Sequence, residues 1–281
     1  MTPTRRPFLK ALAALGLAAS LPARADEVLD AARSRGRLRI ALYDKFPPYS
    51  EGEKGIDAEL GQALAARLGL TPQLIPFKAD DDMADDLRNM VWKGHYLRGE
   101  PADVMLHVPV DRILADANDK VRIFGAYHLE TIALAREPSR VPAPGGSAAV
   151  SLEVFTREKI GVEGSTLADS FLLGVLRGRL RDNVVHFRSV REAVAALKDG
   201  QLAAVLAPRG ELDAALGSAP GIVVEDARYP ELSIKQWPVG MAVKADAPDL
   251  QAALTHALAE LQADGTVAAI FRKHGVRQVN P

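Results

Sequence analysis

The chain has 281 residues, with 35 lysines and arginines against 36 aspartates and glutamates, a formal net charge of −1, and no cysteine. So balanced a charge argues against nucleic acid or an anionic membrane surface as the partner. Without cysteine, structural disulfides, thiol nucleophiles, thiolate metal sites and covalent c-type haem attachment are excluded in this chain.

Residues 4–10, TRRPFLK, are basic, the run ALAALGLAASLP that follows is apolar, and Ala23-Arg24-Ala25 has the small-x-small pattern of a cleavage site. Together they read as a secretory signal over residues 1–25. The apolar run is shorter than the roughly 20 residues a membrane-spanning helix requires. Arg5-Arg6 ahead of Phe8, Leu9 and Lys10 resembles the twin-arginine class of signal, whose passengers cross already folded. Removing this segment takes away four basic residues and no acidic ones, leaving 256 residues with 31 basic against 36 acidic side chains, formally −5. No later apolar run reaches membrane-spanning length, so the expected product is a soluble periplasmic monomer without stable membrane insertion.

Hydrophobic periodicity then alternates between strand and helix. RLRIALY (37–43) reads as a strand, IDAELGQALAARLGL (56–70) as a helix, PQLIPF as a strand and MADDLRNMVW as a helix. DVMLHV (103–108) is almost wholly apolar, as a parallel strand covered on both faces should be. In the second half KIGVE is a strand, STLADSFLLGVLRGRL and SVREAVAALKDG are helices, and LAAVLA and PVGMAVK are strands. DLQAALTHALAELQADGTVAAIFRKHG gives two closing helices. This order predicts an α/β fold with parallel-rich sheets flanked by helices. EPSRVPAPGGSAAVS (137–151) reads as a surface loop beside a domain junction.

In LRIALYDKFPPYSEGEKGIDAELGQALAARLGL a strand leads to a Pro-Pro-aromatic tip and then to a Gly-x-Asp turn that starts a helix. This resembles the opening of the family 3 periplasmic solute-binding proteins of amino-acid-type ABC transporters. KIGVEGST, SVREAVAALKDGQLAAVLA and ADGTVAAIFRKHG are similar to later segments of that family, in the same order. The resemblance implies a two-lobed periplasmic binding protein fold (type II) with the ligand in a cleft between lobes. Lobe 1 would comprise residues 26–130 plus 236–281 and lobe 2 residues 131–235. Such proteins close around ligand by hinge motion. A permease then reads the closed form.

The expected cleft residues follow from strand ends and from the resemblance. In open α/β sheets ligands collect at the carboxyl ends of strands, near helix N-termini. Ser165 and Thr166, after KIGVE, are suited to capping a helix, to binding an anionic group on a ligand, or to both. The resemblance makes Tyr49, after Pro47-Pro48, a stacking wall, although an aromatic there also serves as loop packing. Family members clamp the ligand's carboxylate with an arginine, a role guanidinium geometry suits. That place falls on Ala115, with Arg112 one helical turn earlier. The aspartate that pairs the ligand's ammonium falls on Pro208, followed by Arg209. An anion or an uncharged compound is therefore expected rather than an ordinary amino acid. His107, Asp111 and His128 crowd the same mouth as hydrogen-bonding candidates. Two histidines and a carboxylate suit a divalent ion in principle, but the spacing matches no standard motif. No metal, cofactor or catalytic residue is assigned.

NMVWKGHYLRGEP (89–101) is aromatic and basic, and it reads as a lid, a docking surface or a loop packed on lobe 1. DVMLHVPV (103–110) also resembles a divergent group that accompanies pyrroloquinoline-quinone-dependent alcohol dehydrogenases. Three functions thus stand in order. The first is a non-catalytic solute-binding protein feeding an ABC permease, and the second an accessory or maturation factor for a periplasmic quinoprotein dehydrogenase. The third is a dehydratase-like enzyme on the same fold, with His107 and Asp111 as acid and base.

Overall fold

Leu38, Ile40, Ala41 and Leu42 are fully buried, which fixes the first strand as an interior one. The computed structural model describes residues 27–95 and 99–281, so the expected export signal, residues 1–25, lies outside the described residues, as do Tyr96 and Arg98 of the 89–101 loop. In chain order α1 (Glu27–Arg35), β1 (Arg37–Tyr43), α2 (Ile56–Arg67), β2 (Thr71–Phe77), α3 (Met83–Leu87) and β3 (Val104–Pro109) come first. Next are α4 (Arg112–Ala117), β4 (Val121–Arg136), α5 (Ala148–Ser151), β5 (Ile160–Glu163), α6 (Leu167–Gly174), β6 (Val184–Phe187) and α7 (Val190–Lys198). Last are β7 (Ala204–Pro208), α8 (Arg209–Leu216), β8 (Val223–Asp226), β9 (Gln236–Lys244), α9 (Pro248–Ala263) and α10 (Thr266–Lys273).

The strands join in the order β2-β1-β3-β9-β4-β7-β5-β6, with β8 also pairing β4. Pairs β1–β2, β1–β3, β5–β6 and β5–β7 are parallel. The strands in the middle, β9 and β4, run antiparallel to their neighbours. The expected parallel pairing therefore holds at each end of the sheet, and two antiparallel strands carry the chain between them. β4 spans both regions: Val121–Thr131 pairs β9, and Ile132–Arg136 pairs β7. Its length is masked in the sequence because Gly125, at φ 65, and a register shift between Phe124 and His128 break its alternation.

One set of buried side chains links α2, β1, β3, β9, α9 and α10. Another links β5, β7, α6 and the segment around Tyr229. Trp237, on β9, packs against both. The helix expected through residue 180 ends instead at Gly174, because Leu176 and Arg177 turn left-handed (φ 52 and 58) before Gly178. Two glycines four residues apart weaken the helix there, each by roughly 1 kcal/mol relative to alanine.

Two β-bulges face the same point on β9. β3 slips register between Leu106 and Val108, and β4 slips between Phe124 and His128, both opposite Gly240 and Met241. Bulges re-aim side chains where a sheet must bend. Here they aim His107, held at φ 61, at Asp57 and place Tyr127 in the core. Gly240 makes room for this, since a Cβ there would meet the Phe124 carbonyl oxygen at 2.5 Å and that of Gly125 at 3.0 Å. Gly240→Ala should therefore lower unfolding free energy by about 1–3 kcal/mol in urea titrations followed by circular dichroism.

Candidate functional site

The segment after β1 reverses tightly: Phe46 and Ser50 exchange backbone hydrogen bonds of 2.7 and 2.8 Å around a cis Pro47–Pro48 peptide. The turn drives Tyr49 inward until it is 1% exposed. Its ring lies 4.3 Å from that of His107 and 5.2 Å from that of Phe46. Its hydroxyl donates a short hydrogen bond to Glu130 on β4.

Glu130 gathers three donors, since its other oxygen accepts from the backbone N–H of Thr131 at 2.9 Å and of Gly210 at 3.2 Å. It thereby caps the start of α8. Burial raises its pKa, while the three donors pull the other way. A second buried group sits beside it. Asp57, at the start of α2, accepts from the Tyr127 hydroxyl at 2.7 Å and meets His107 Nδ1 at 2.9 Å. The Tyr127 oxygen in turn accepts from the His107 backbone N–H at 3.1 Å. Asp57, His107 and Tyr127 thus tie α2, β3 and β4 together in the core.

Two partly open pockets meet at Phe46. The inner one, about 260 Å³, is lined by Phe46, Ile132, Thr166, Trp237, Glu163 and Glu211. The outer one, about 280 Å³, shares Phe46, Glu163 and Glu211 and opens past Lys45, Arg188 and Arg191. Burial is the largest cause raising the pKa values of Glu163 and Glu211, and for Glu211 the neighbouring carboxylates of Glu163 and Glu130 add to it. A wider groove of about 1190 Å³ adjoins the inner cavity at Ile132, Leu167 and Trp237.

The residues singled out in the sequence disperse around this cleft. Tyr49 is a packed and hydrogen-bonded wall behind Phe46, which supplies the lining face. His107 is buried against Asp57 and lies 4.8 Å from the Phe46 ring. Asp111 lines the wide groove and caps α4, its Oδ1 accepting from Leu114 N–H at 2.8 Å. Arg112 has a 92% exposed side chain paired along the helix with Asp116. His128 lies on the core side of β4 against Phe271, its Nδ1 accepting from Val279 N–H at 3.3 Å. Its Nε2 has no hydrogen-bond partner and stands 3.9 Å from Glu130. Thr166 caps α6 by accepting from Asp169 N–H at 3.2 Å and also lines the inner cavity. Exposed Ser165 donates its backbone N–H to Asp169 at 2.9 Å. Arg209 donates to Asp226 at 2.8 Å and lies 3.5 Å from Asp213, so its charge is matched away from the two pockets. This pairing leaves Arg209 without the free charge that the anion expectation gave it. Among the described residues, no three metal-ligating side chains converge.

Sequence reasoning missed Phe46, Glu163, Glu211 and Trp237. Glu163 had a legible signal as the last residue of a strand. Glu211 had a misleading one, because an acid in a helix's first turn ordinarily only complements the helix dipole.

No protein-family model matches the sequence, and no curated protein matches it. Solved structures do. An ancestral cationic amino acid solute-binding protein superposes with a TM-score of 0.67 at 20% identity, covering 88% of this chain and 99% of that one. A Streptococcus pneumoniae amino acid ABC transporter substrate-binding protein bound to L-arginine gives 0.59 at 19% identity, over 87% and 97%. An ancestral amino-acid-binding protein described as a precursor of cyclohexadienyl dehydratase gives 0.58 at 19%, over 88% and 98%. At such identities the likeness establishes the fold, a two-lobed periplasmic binding protein architecture.

Two outcomes follow from the buried network. Tyr49→Phe removes one of the three donors to Glu130 and should lower stability by about 1–3 kcal/mol in chemical denaturation. Burial holds the His128 imidazole at about 4 against an ordinary 6.5. An unfolded chain therefore takes up a proton in this window that the folded chain refuses, and the contribution of His128, complete above 6.5, is lost as pH falls toward 4. The stability of the wild type relative to His128→Gln should drop across that window by up to about 1.4 kcal/mol per pH unit. The difference between the two proteins is the quantity to measure, since the raised carboxyl groups titrate with the opposite sign.

Proposed function

We propose that the chain is a periplasmic solute-binding protein that closes two lobes, residues 26–130 plus 236–281 and residues 131–235, over a small ligand for delivery to an ABC permease. The observation that carries this reading is the pair of pockets between strand ends of the two halves, with Phe46, Glu163 and Glu211 common to both. The lining joins Phe46 from the β1 end, Thr166 from the β5 end and Trp237 from β9, and a two-state hinge about β4 and β9 would open it. Among the described residues no helix is long and apolar enough to cross a membrane, which is compatible with a freely diffusing carrier.

A non-catalytic role accords with the placement of His107. The two residues that a dehydratase-like reading would use are kept apart: His107 is buried among Phe46 and Tyr49, whereas Asp111 lines the wide groove and caps α4. The accessory reading has one observation in its favour. Leu167 and Ile234, both lining the wide groove, are 50% and 44% exposed. Apolar side chains clustered at one mouth suit a protein partner such as a periplasmic quinoprotein dehydrogenase.

Thermal shift assays against amino acids, amines, carboxylates and sugars separate these readings. A carrier should respond to one class, with a stabilisation of about 2.7 kcal/mol at ligand concentrations one hundred times Kd. Phe46→Ala should weaken that response by at least tenfold in Kd, or about 1.4 kcal/mol. No response to any class, together with stable co-purification of a quinoprotein dehydrogenase, would transfer the assignment to the accessory role.

A further inference from the structure

We propose that the segment after α10, residues 276–281, is a strap across the hinge. It ties lobe 1 to the crossing strand β4 and to α8 of lobe 2, and so sets how freely the lobes part. It rests on the two-lobed carrier reading and on no particular ligand.

α10 gives way at Gly275, which turns left-handed at φ 74, and the Val276 N–H bonds back to the Phe271 carbonyl at 3.0 Å. A left-handed glycine after a helix reverses the chain in this way. Here the reversal carries it past α8, since a Cβ on Gly275 would lie 3.9 Å from Ala214 Cα. Val276 is 3% exposed and belongs to the core around β1 and α2, which anchors the segment in lobe 1. The Arg277 backbone N–H then donates to the Asp213 carboxylate on α8, in lobe 2. Gln278 Nε2 donates to the Tyr127 carbonyl at 3.0 Å. Val279 makes two bonds to β4. Its carbonyl accepts from the Leu129 N–H at 2.8 Å, and its own N–H donates to His128 Nδ1 at 3.3 Å.

These bonds fall where β4 changes partner. Val121–Thr131 pairs β9 and Ile132–Arg136 pairs β7, so Tyr127, His128 and Leu129 stand just before one half gives way to the other. Among the described residues no strand pairs the β7 side of β4 before Ile132, and Val279 takes that place at Leu129. Each bond is modest by itself. They must break together, however, if α8 and β4 are to move away from α10. The other ties across the hinge differ in kind. Arg191 and Glu51, 3.5 Å apart, are an exposed pair that contributes little. Glu130 is buried among Tyr49, Thr131 and Gly210. Residues 277–281 are half-buried or exposed, so the strap can come off by local unfolding without opening either core. The balance between open and closed forms then depends on whether it is fastened.

The chain has no cysteine, so two introduced ones report on the hinge alone. Gln62 on α2 and Asp182 before β6 are exposed and lie in different lobes. Gln62→Cys with Asp182→Cys carries a pair of spin labels whose separation is read by pulsed electron paramagnetic resonance. The labelled full chain should give one narrow distribution of distances. A chain stopped after Val276, which keeps the buried anchor, should broaden it. Val279→Pro, which deletes the N–H that meets His128, should broaden it in the same direction with the circular dichroism spectrum unchanged. Hydrogen exchange at the Leu129 N–H should quicken by about two- to tenfold in the shortened chain. A distribution that neither variant alters, although Leu129 exchanges faster, would overturn the strap. If amino acids, amines, carboxylates or sugars still shift the distance in that case, the carrier reading stands without it. A distance that no variant and no compound moves would remove the hinge as well.

Discussion

A single buried carboxylate holds the cleft in register. Glu130 leaves water at the centre of the longest strand, and a charge so placed is tolerated only when its oxygens are fully occupied. One donor comes from the loop after β1, one from the strand itself and one from the first turn of α8. The contact between loop and helix is close enough to dictate residue 210. A Cβ at that position would lie 2.1 Å from the Tyr49 hydroxyl and 2.9 Å from Glu130. Glycine is therefore what lets the two halves meet. Because Glu130 caps α8, it also sets where the next residue, Glu211, enters the cavity.

The electrostatics of the cleft depend on pairing rather than on residue type. Arg209 sits one position after a strand end, where a cation would ordinarily dominate a binding site. Its neighbours Asp226 and Asp213 absorb that charge. Glu211, two residues later, has no cation beside it, and burial and the carboxylates of Glu163 and Glu130 raise its pKa. The same contrast separates the two histidines. His107 has Asp57 to complement it, whereas His128 has a backbone donor on one nitrogen and nothing within hydrogen-bond distance of the other.

The fold was largely legible in the residues, and the site was not. Strands such as DVMLHV and helices such as SVREAVAALKDG announce themselves because one period dominates a whole segment. β4 escaped notice because a bulge and a left-handed glycine interrupt its alternation. The long helix assigned to residues 165–180 was overextended because apolar spacing continues past Gly174 while the backbone does not. The resemblance pointed to side chains at fixed sequence offsets. Arg112 illustrates the difficulty: one helical turn is a small shift in sequence, yet it leaves the side chain in open water. Which carboxyl group is left unpaired is decided by neighbours distant in the chain, and local spacing carries no record of them.

Trp237 has a further use that its packing confers. It is one of two tryptophans in the chain, the other being Trp92, within the segment of residues 89–101. The indole of Trp237 touches both groups of core side chains and borders the inner cavity and the wide groove at once. Any hinge movement about β4 and β9 must change how much water reaches that ring. In a chain where Trp92 is replaced by phenylalanine, the protein carries its own optical gauge of cleft opening, calibrated by emission wavelength and by quenching with dissolved acrylamide, with no dye attached.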